Sequence, residues 1–297
     1  MKAGGPTGLL ADYPDGWSAM AVREWRQGLR ARTFVVPFLV LQAGLTLFGL
    51  IQLDVRNSEG VARGFWFLLL VLLSLVLPLR NLGALADERD GNTMDMLLLT
   101  NMGAWRMVTG KWLATAGMLG LTAVSAVPAV VLRSVAAGWP LGKSLAGLVA
   151  GLAMACGLAA VLTAVSWLRI TLVRTGVAMF FCLVVLVQGV LPLTGALAEG
   201  RVGAMGFSGL VMEMVLVSVA AGWAGLVLAA SPVPDRGVEK WPLRLALRMG
   251  MVLVVTGGLM RLTGIPDVVG EAMVGSGAGL VLAGGVRWLV RRRGIRG

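Results

Sequence analysis

Residues 144–168 contain no Asp, Glu, Lys or Arg, and the same holds for residues 33–53, 64–79, 112–132 and 175–198. A sixth apolar run, 208–230, carries one carboxylate, Glu213. About 20 apolar residues in a helix cross the roughly 30 Å hydrocarbon layer of a bilayer. Inside that layer every backbone N–H and C=O needs a partner within the protein, and for runs of this length the helix supplies it. The runs therefore predict an all-α integral membrane protein with a six-span core bundle over residues 34–230. Run 64–79 is short, and Arg63 and Arg80 beside it are expected to reach back to the two interfaces. Composition agrees, with 57% hydrophobic and 14% charged residues, where soluble domains carry about 45–50% and 25%.

Residues 245–290 hold two weaker apolar runs, interrupted by Arg248, Arg261, Glu271 and Arg287. They are read as an extra transmembrane hairpin, with an interfacial hairpin as the alternative. The link before them, residues 231–244, contains Pro232, Pro234 and Pro242, which stop helices. The basic tail RRRGIRG, 291–297, closes the chain. With the N-terminus inside and eight spans, twenty of the 26 Lys and Arg fall on the inner side. Arg56, Arg63, Arg133, Lys143, Arg201 and Arg261 are left outside. That asymmetry predicts a multi-pass protein of the cell membrane with both termini cytoplasmic. It also reads the net charge of +11 as topology, with no nucleic-acid partner. The first twenty residues lack the continuous apolar core of a cleavable leader. With no His, and with Cys156 and Cys182 inside apolar runs, no metal-ligand spacing exists.

Acidic residues concentrate in the connection between the second and third runs, residues 84–111, where Asp87, Glu88, Asp90 and Asp95 stand close together. The segment TMDMLLLTNM predicts a short amphipathic helix, with Gly91 and Asn92 turning the chain ahead of it. Thr93 is placed to cap it, and the carboxylates at its start suit the helix dipole. Leu97, Leu98 and Leu99 form its apolar flank. Such a helix, held between two spans, can hand force to a docked partner. A second amphipathic stretch, VREWRQGLRART, lies in the N-terminal segment, residues 1–33, just before the first span. It carries Arg23, Glu24, Arg26, Arg30 and Arg32, and Arg26 and Arg30 are candidates for holding it at anionic headgroups.

These two stretches resemble ABC transporter permeases of the ABC-2 exporter type. The family's loop pattern runs roughly Glu-x-x-x-Gly-Thr-Leu-Glu-x-Leu-Leu-x-Thr-Pro, followed by a Gly-Lys pair that opens the third span. Glu88, Gly91, Thr93, Asp95, Leu97, Leu98, Thr100, Gly110 and Lys111 match it by type. Asn92 is an insertion, Asn101 replaces the usual Pro, and the terminal hairpin exceeds the usual six spans. The resemblance implies that the loop is a coupling helix docking on a separate ABC ATPase, with Glu88, Asp90, Asp95 and Leu97 to Leu99 transmitting force. It likewise makes VREWRQGLRART the family's interfacial helix. It further implies a second permease subunit, identical or different, and export as the direction.

The chain holds no phosphate-binding loop of its own. The nearest stretch, GWPLGKS at residues 138–144, has three residues where the nucleotide motif needs four. The chain itself is therefore read as neither enzyme nor cofactor carrier, with ATP and Mg on the partner ATPase. Membrane lipids are its other partner. Ionisable groups within spans mark functional sites by default, so Glu213, with Gln188, is a candidate for the substrate path. Interfacial solvation is the plainer reading of Glu213. Gln42, Gln52 and Gln188 are expected to bond between helices, and Gly147 with Gly151 to mark a close crossing. Pro128 and Pro192 are expected to kink or end their helices. Trp66, Trp139, Trp167, Trp241 and Trp288 would form an aromatic belt. Two other readings compete: a non-transporting scaffold of a membrane complex, and an intramembrane enzyme. The enzyme reading needs paired polar catalysts, and Glu213 has no evident acidic partner.

Overall fold

The computed structural model describes residues 19–54, 59–83, 86, 104–166, 168, 170–199 and 204–230. The acidic loop from Asp87 to Gly103, the link and the C-terminal pair of apolar runs lie outside the described residues. Eight α-helices appear among those described: α1 (Ala19–Arg30), α2 (Arg32–Asp54), α3 (Glu59–Val71), α4 (Ala104–Ala137), α5 (Leu141–Val165), α6 (Thr171–Val185), α7 (Leu191–Glu199) and α8 (Ala204–Ala230). Six spans are long and apolar enough to cross a membrane: Arg32–Ile51, Glu59–Leu82, Val108–Ala137, Leu141–Val165, Thr171–Ala198 and Gly206–Leu226. This is the make-up of a multi-pass membrane protein. The second span reaches further than its charge-free run, because a helix needs no apolar residue at its solvated ends.

The spans alternate in direction, so one end of the bundle carries α1 and the other carries the α4–α5 turn. Span four is the most enclosed, and spans one and five keep most of their surface outward. Leu41, Leu45, Leu69, Leu70, Leu73, Leu119 and Leu193 fill the shared core. In a bilayer apolar side chains gain little by leaving lipid, so close packing and polar bonds between helices decide the arrangement. Gln42 Nε2 donates to Ser125 Oγ at 2.6 Å between spans one and three. Ser74 Oγ donates to the Gly151 carbonyl at 3.0 Å between spans two and four.

The closest backbone crossing is between α5 and α8. A Cβ on Gly157 would fall 2.6 Å from the Ser218 carbonyl oxygen, and one on Gly225 would fall 2.8 Å from the Val161 nitrogen. Gly147 and Gly151 instead receive leucine side chains, Leu197 and Leu70. The small-residue spacing was therefore read one turn or more away from the backbone contact, because spacing alone does not say which face meets a helix.

Prolines act in two ways. Pro128 neither ends nor interrupts α4, which runs continuously from Ala104 to Ala137, and Pro37 likewise sits inside α2. Pro78 and Pro192 each follow a π turn, Leu72–Val76 and Leu186–Val190. There the Leu77 N–H bonds the Leu72 carbonyl and the Leu191 N–H bonds the Leu186 carbonyl. A proline cannot donate to the carbonyl four residues back. The wider turn just before it takes up the misfit.

Candidate functional site

At the α1 end, a polar cluster joins four helices around the point where the acidic loop enters α4. α1 exists because Trp25 and Leu29 share a face that packs on the core while Arg26 and Arg30 are exposed. Trp25 lies over Gly117, where a Cβ would touch its ring at 3.7 Å. Beside it, Lys111 Nζ is 3.4 Å from Glu24 Oε1, with Lys111 8% exposed. α1 is therefore docked on α4 and not merely laid beside the bundle. Arg80, expected to reach out to the interface, turns instead onto Gly28 and donates to Met118 Sδ at 3.1 Å. A side chain at position 28 would occupy the place that its guanidinium takes.

One turn deeper, Asn81 binds three spans together. Its Nδ2 donates to the Ala159 carbonyl at 3.2 Å and to Thr163 Oγ1 at 3.1 Å, and its Oδ1 accepts from Thr115 Oγ1 at 2.7 Å. Every hydrogen-bonding group of this 3%-exposed amide has a use. Nothing in the sequence singles out Asn81; an amide at the end of an apolar run looks like a solvated end. Trp112 Nε1 donates to the Cys156 carbonyl at 3.0 Å, which fastens the same part of α4 to α5. Cys156 itself is a free, half-buried thiol in that contact.

Of the loop residues singled out from the sequence, Lys111 is described and belongs to this cluster. Glu88, Asp90, Gly91, Thr93, Asp95, Leu97, Leu98, Leu99 and Thr100 lie outside the described residues, as does the Arg23 side chain. Arg30 and Arg32 are exposed beside the α1–α2 break, where the Ala31 N–H bonds the Gly28 carbonyl at 3.1 Å. Glu213 is half-buried on α8, with Met212 and Leu216 exposed around it. Gln188 sits half-buried in the second π turn, far along the chain from the cluster. The structure does not bring either into the α1-end site.

No family model, curated protein or solved structure matches this chain.

The opposite end holds a feature whose burial the charge count does not reveal. Arg133, counted there as an outer-segment charge, is 3% exposed inside the bundle. Its Cζ lies 5.4 Å from the Phe65 ring centre, 5.3 Å from Trp66 and 5.8 Å from Trp139. Trp66 is fully buried, so it is a wall of this cage and not part of an interfacial belt. A desolvated cation over an aromatic face gains about 2 kcal/mol, which draws Arg133 inward. The turn after α4 builds the third wall. Gly138 takes φ +66°, open to glycine at no steric cost. The Trp139 N–H then returns to the Ser134 carbonyl at 2.9 Å. Ser134 Oγ in turn donates to Ser144 Oγ at 2.9 Å, closing α4 on α5.

The charge pattern assigned Arg133 outside because a single Arg near a span end is normally a topology marker. The signal that could have found it was Phe65-Trp66 on one span, with Arg133 near the end of another and Trp139 six residues later in the turn after it. Among the described residues, no three His, Cys, Asp or Glu side chains come together as a metal site.

Proposed function

We propose that this chain is the membrane-spanning subunit of an ABC transporter of the ABC-2 exporter type. On this reading it works with a separate ABC ATPase that binds ATP and Mg, and pairs with a second permease subunit, identical or different. It lies in the cell membrane with both termini cytoplasmic, so the α1 end faces the ATPase. The observation that carries the reading is one contact. The two stretches that resemble the family, residues 22–33 and 88–111, are far apart in the chain, and Glu24 of the first meets Lys111 of the second at 3.4 Å.

A rod docked on the ATPase and continuous with Lys111 would push on α1 and α4 together. The cluster around Asn81 would carry that displacement into α5. Each nucleotide state then favours one packing of the bundle, and ATP binding shifts the population between them. Export, and an apolar or amphiphilic cargo, fit spans that carry so few charges.

The test is co-purification with an ABC ATPase expressed from the same cells, followed by its turnover. Changing Leu97 and Leu99 to Glu should leave the permease folded while ATPase stimulation falls at least about tenfold. Unchanged stimulation, or no ATPase recovered with the wild-type chain, removes the coupling-helix assignment.

A further inference from the structure

Arg133 carries a charge that no carboxylate among the described residues answers. Its Nε, Nη1 and Nη2 are all buried and have no hydrogen-bond partner among the described residues. The three ring centres lie within 5.8 Å of the guanidinium carbon, but an aromatic ring does not replace the oxygen acceptors that its five N–H groups are built for. A buried cation without a counter-charge is costly, and more so at membrane depth. A guanidinium fork left without acceptors in this way matches the paired oxygens of a phosphate or carboxylate.

Its depth also fits. Arg133 lies four residues before the end of α4 at Ala137, about 6 Å along the helix axis, as close to the end of an apolar span as a polar headgroup would be expected to reach. Trp139 is the only cage wall carried by a turn. It is half-exposed, next to the positive-φ Gly138 and ahead of Pro140. Phe65 and Trp66 are fixed in the core of span two. Displacing Trp139 would therefore uncover the guanidinium from the side of the α4–α5 turn without unpacking a span.

We infer that Arg133 is the binding residue of an oxyanion site at this end of the bundle, covered by Trp139, which takes the phosphate or carboxylate head of an anionic amphiphile. The phosphate could come from a lipid head or from free anion, and the two are separable. The site stands apart from the transporter reading, since binding is measured without any ATPase.

The experiment is thermal unfolding of the full chain in a neutral maltoside, titrated with phosphatidylglycerol, phosphatidylcholine or inorganic phosphate. Phosphatidylglycerol should raise the midpoint at a concentration at least about tenfold below phosphatidylcholine, and R133Q should abolish that difference. If inorganic phosphate alone reproduces the shift in wild type but not in R133Q, the oxyanion site stands and its natural ligand is the free anion. Equal response to both lipids with no response to phosphate, or an unaltered response in R133Q, overturns the site. Should R133Q fail to fold, W139A decides. It keeps the charge and removes the cover, so the phosphatidylglycerol requirement should move by at least about threefold. An identical titration refutes the inference.

Discussion

Lys111 Nζ stands 3.4 Å from Glu24 Oε1, and this ion pair ties a helix that precedes the bundle to the span that follows the acidic loop. Lys111 is 8% exposed, so removing this carboxylate takes an opposite charge from an ammonium that little solvent reaches. Glu24→Ala should lower stability by roughly 1–3 kcal/mol, read as a fall in unfolding midpoint in detergent. Exchanging the two charges, Glu24→Lys with Lys111→Glu, should recover part of the loss. A double variant no better than the singles would show that packing of Trp25 on Gly117, and not the charge pair, docks α1.

Asn81 makes a sharper prediction, because its two ends have opposite character. Asn81→Ala removes the donor to Ala159 and Thr163 and the acceptor for Thr115, at a cost of about 1–3 kcal/mol. Thr163 Oγ1 keeps its bond to the Ala159 carbonyl at 2.8 Å, and Thr115 Oγ1 keeps a longer one to the Lys111 carbonyl at 3.3 Å. Those residual bonds hold the loss down. Asn81→Asp should be worse than Asn81→Ala although it is closer in shape. It would set a carboxylate oxygen 3.2 Å from the Ala159 carbonyl, acceptor against acceptor, in a buried site. Ranking the two midpoints tests the assignment of the amide orientation directly.

The six-span core was legible because hydrophobic length is a one-dimensional property: residues 112–132 or 144–168 announce a span whatever their neighbours do. Partner choice was not. Gln42 was expected to bond across helices and does so with Ser125, since an amide inside a span has few alternatives. Gly147 and Gly151 shared the spacing of a close crossing, yet the backbone contact uses Gly157 and Gly225. Which face a glycine presents depends on the three-dimensional packing. Arg133 misled for a related reason. Charge counting treats every Arg near a span end as solvated, whereas three rings from two separate segments make an interior place for this one. The expectation for α1 gained most from the structure: amphipathicity predicted a helix, and Lys111 supplied the surface on which it docks.

The α5–α8 crossing can be probed with its own internal control. Gly225→Ala would bring a methyl within 2.8 Å of the Ala160 carbonyl carbon and the Val161 nitrogen. These are backbone atoms, so relief requires the helices to separate. Overpacking of this kind costs about 1–3 kcal/mol. Gly120 in α4 has nothing within 4 Å of the position a Cβ would take. There Gly120→Ala should be neutral, or stabilise by up to about 1 kcal/mol through helix propensity. If both variants shift the unfolding midpoint alike, the crossing is not where the helices meet.

Pro192 poses a choice between a hydrogen bond and a core. Pro192→Ala would supply an N–H for the Gln188 carbonyl four residues back, inviting the π turn at Leu186–Val190 to tighten into ordinary α-helix. That gain is about 1 kcal/mol. Tightening would rotate everything beyond it by about 100°, and would carry Leu193 and Leu197 away from the core, where they are 0% and 1% exposed. Close packing of two such leucines is worth more than one bond, since their removal from a well-packed interior costs roughly 2–5 kcal/mol each. The π turn should therefore persist in Pro192→Ala, with the unfolding midpoint nearly unchanged. Maleimide labelling can tell the two outcomes apart in a background of Cys156→Ala and Cys182→Ala. With Leu197→Cys added, the thiol should stay unreactive whether residue 192 is Pro or Ala. Rapid labelling only in the Ala form would mean that the proline itself, and not the packed leucines, holds the turn open.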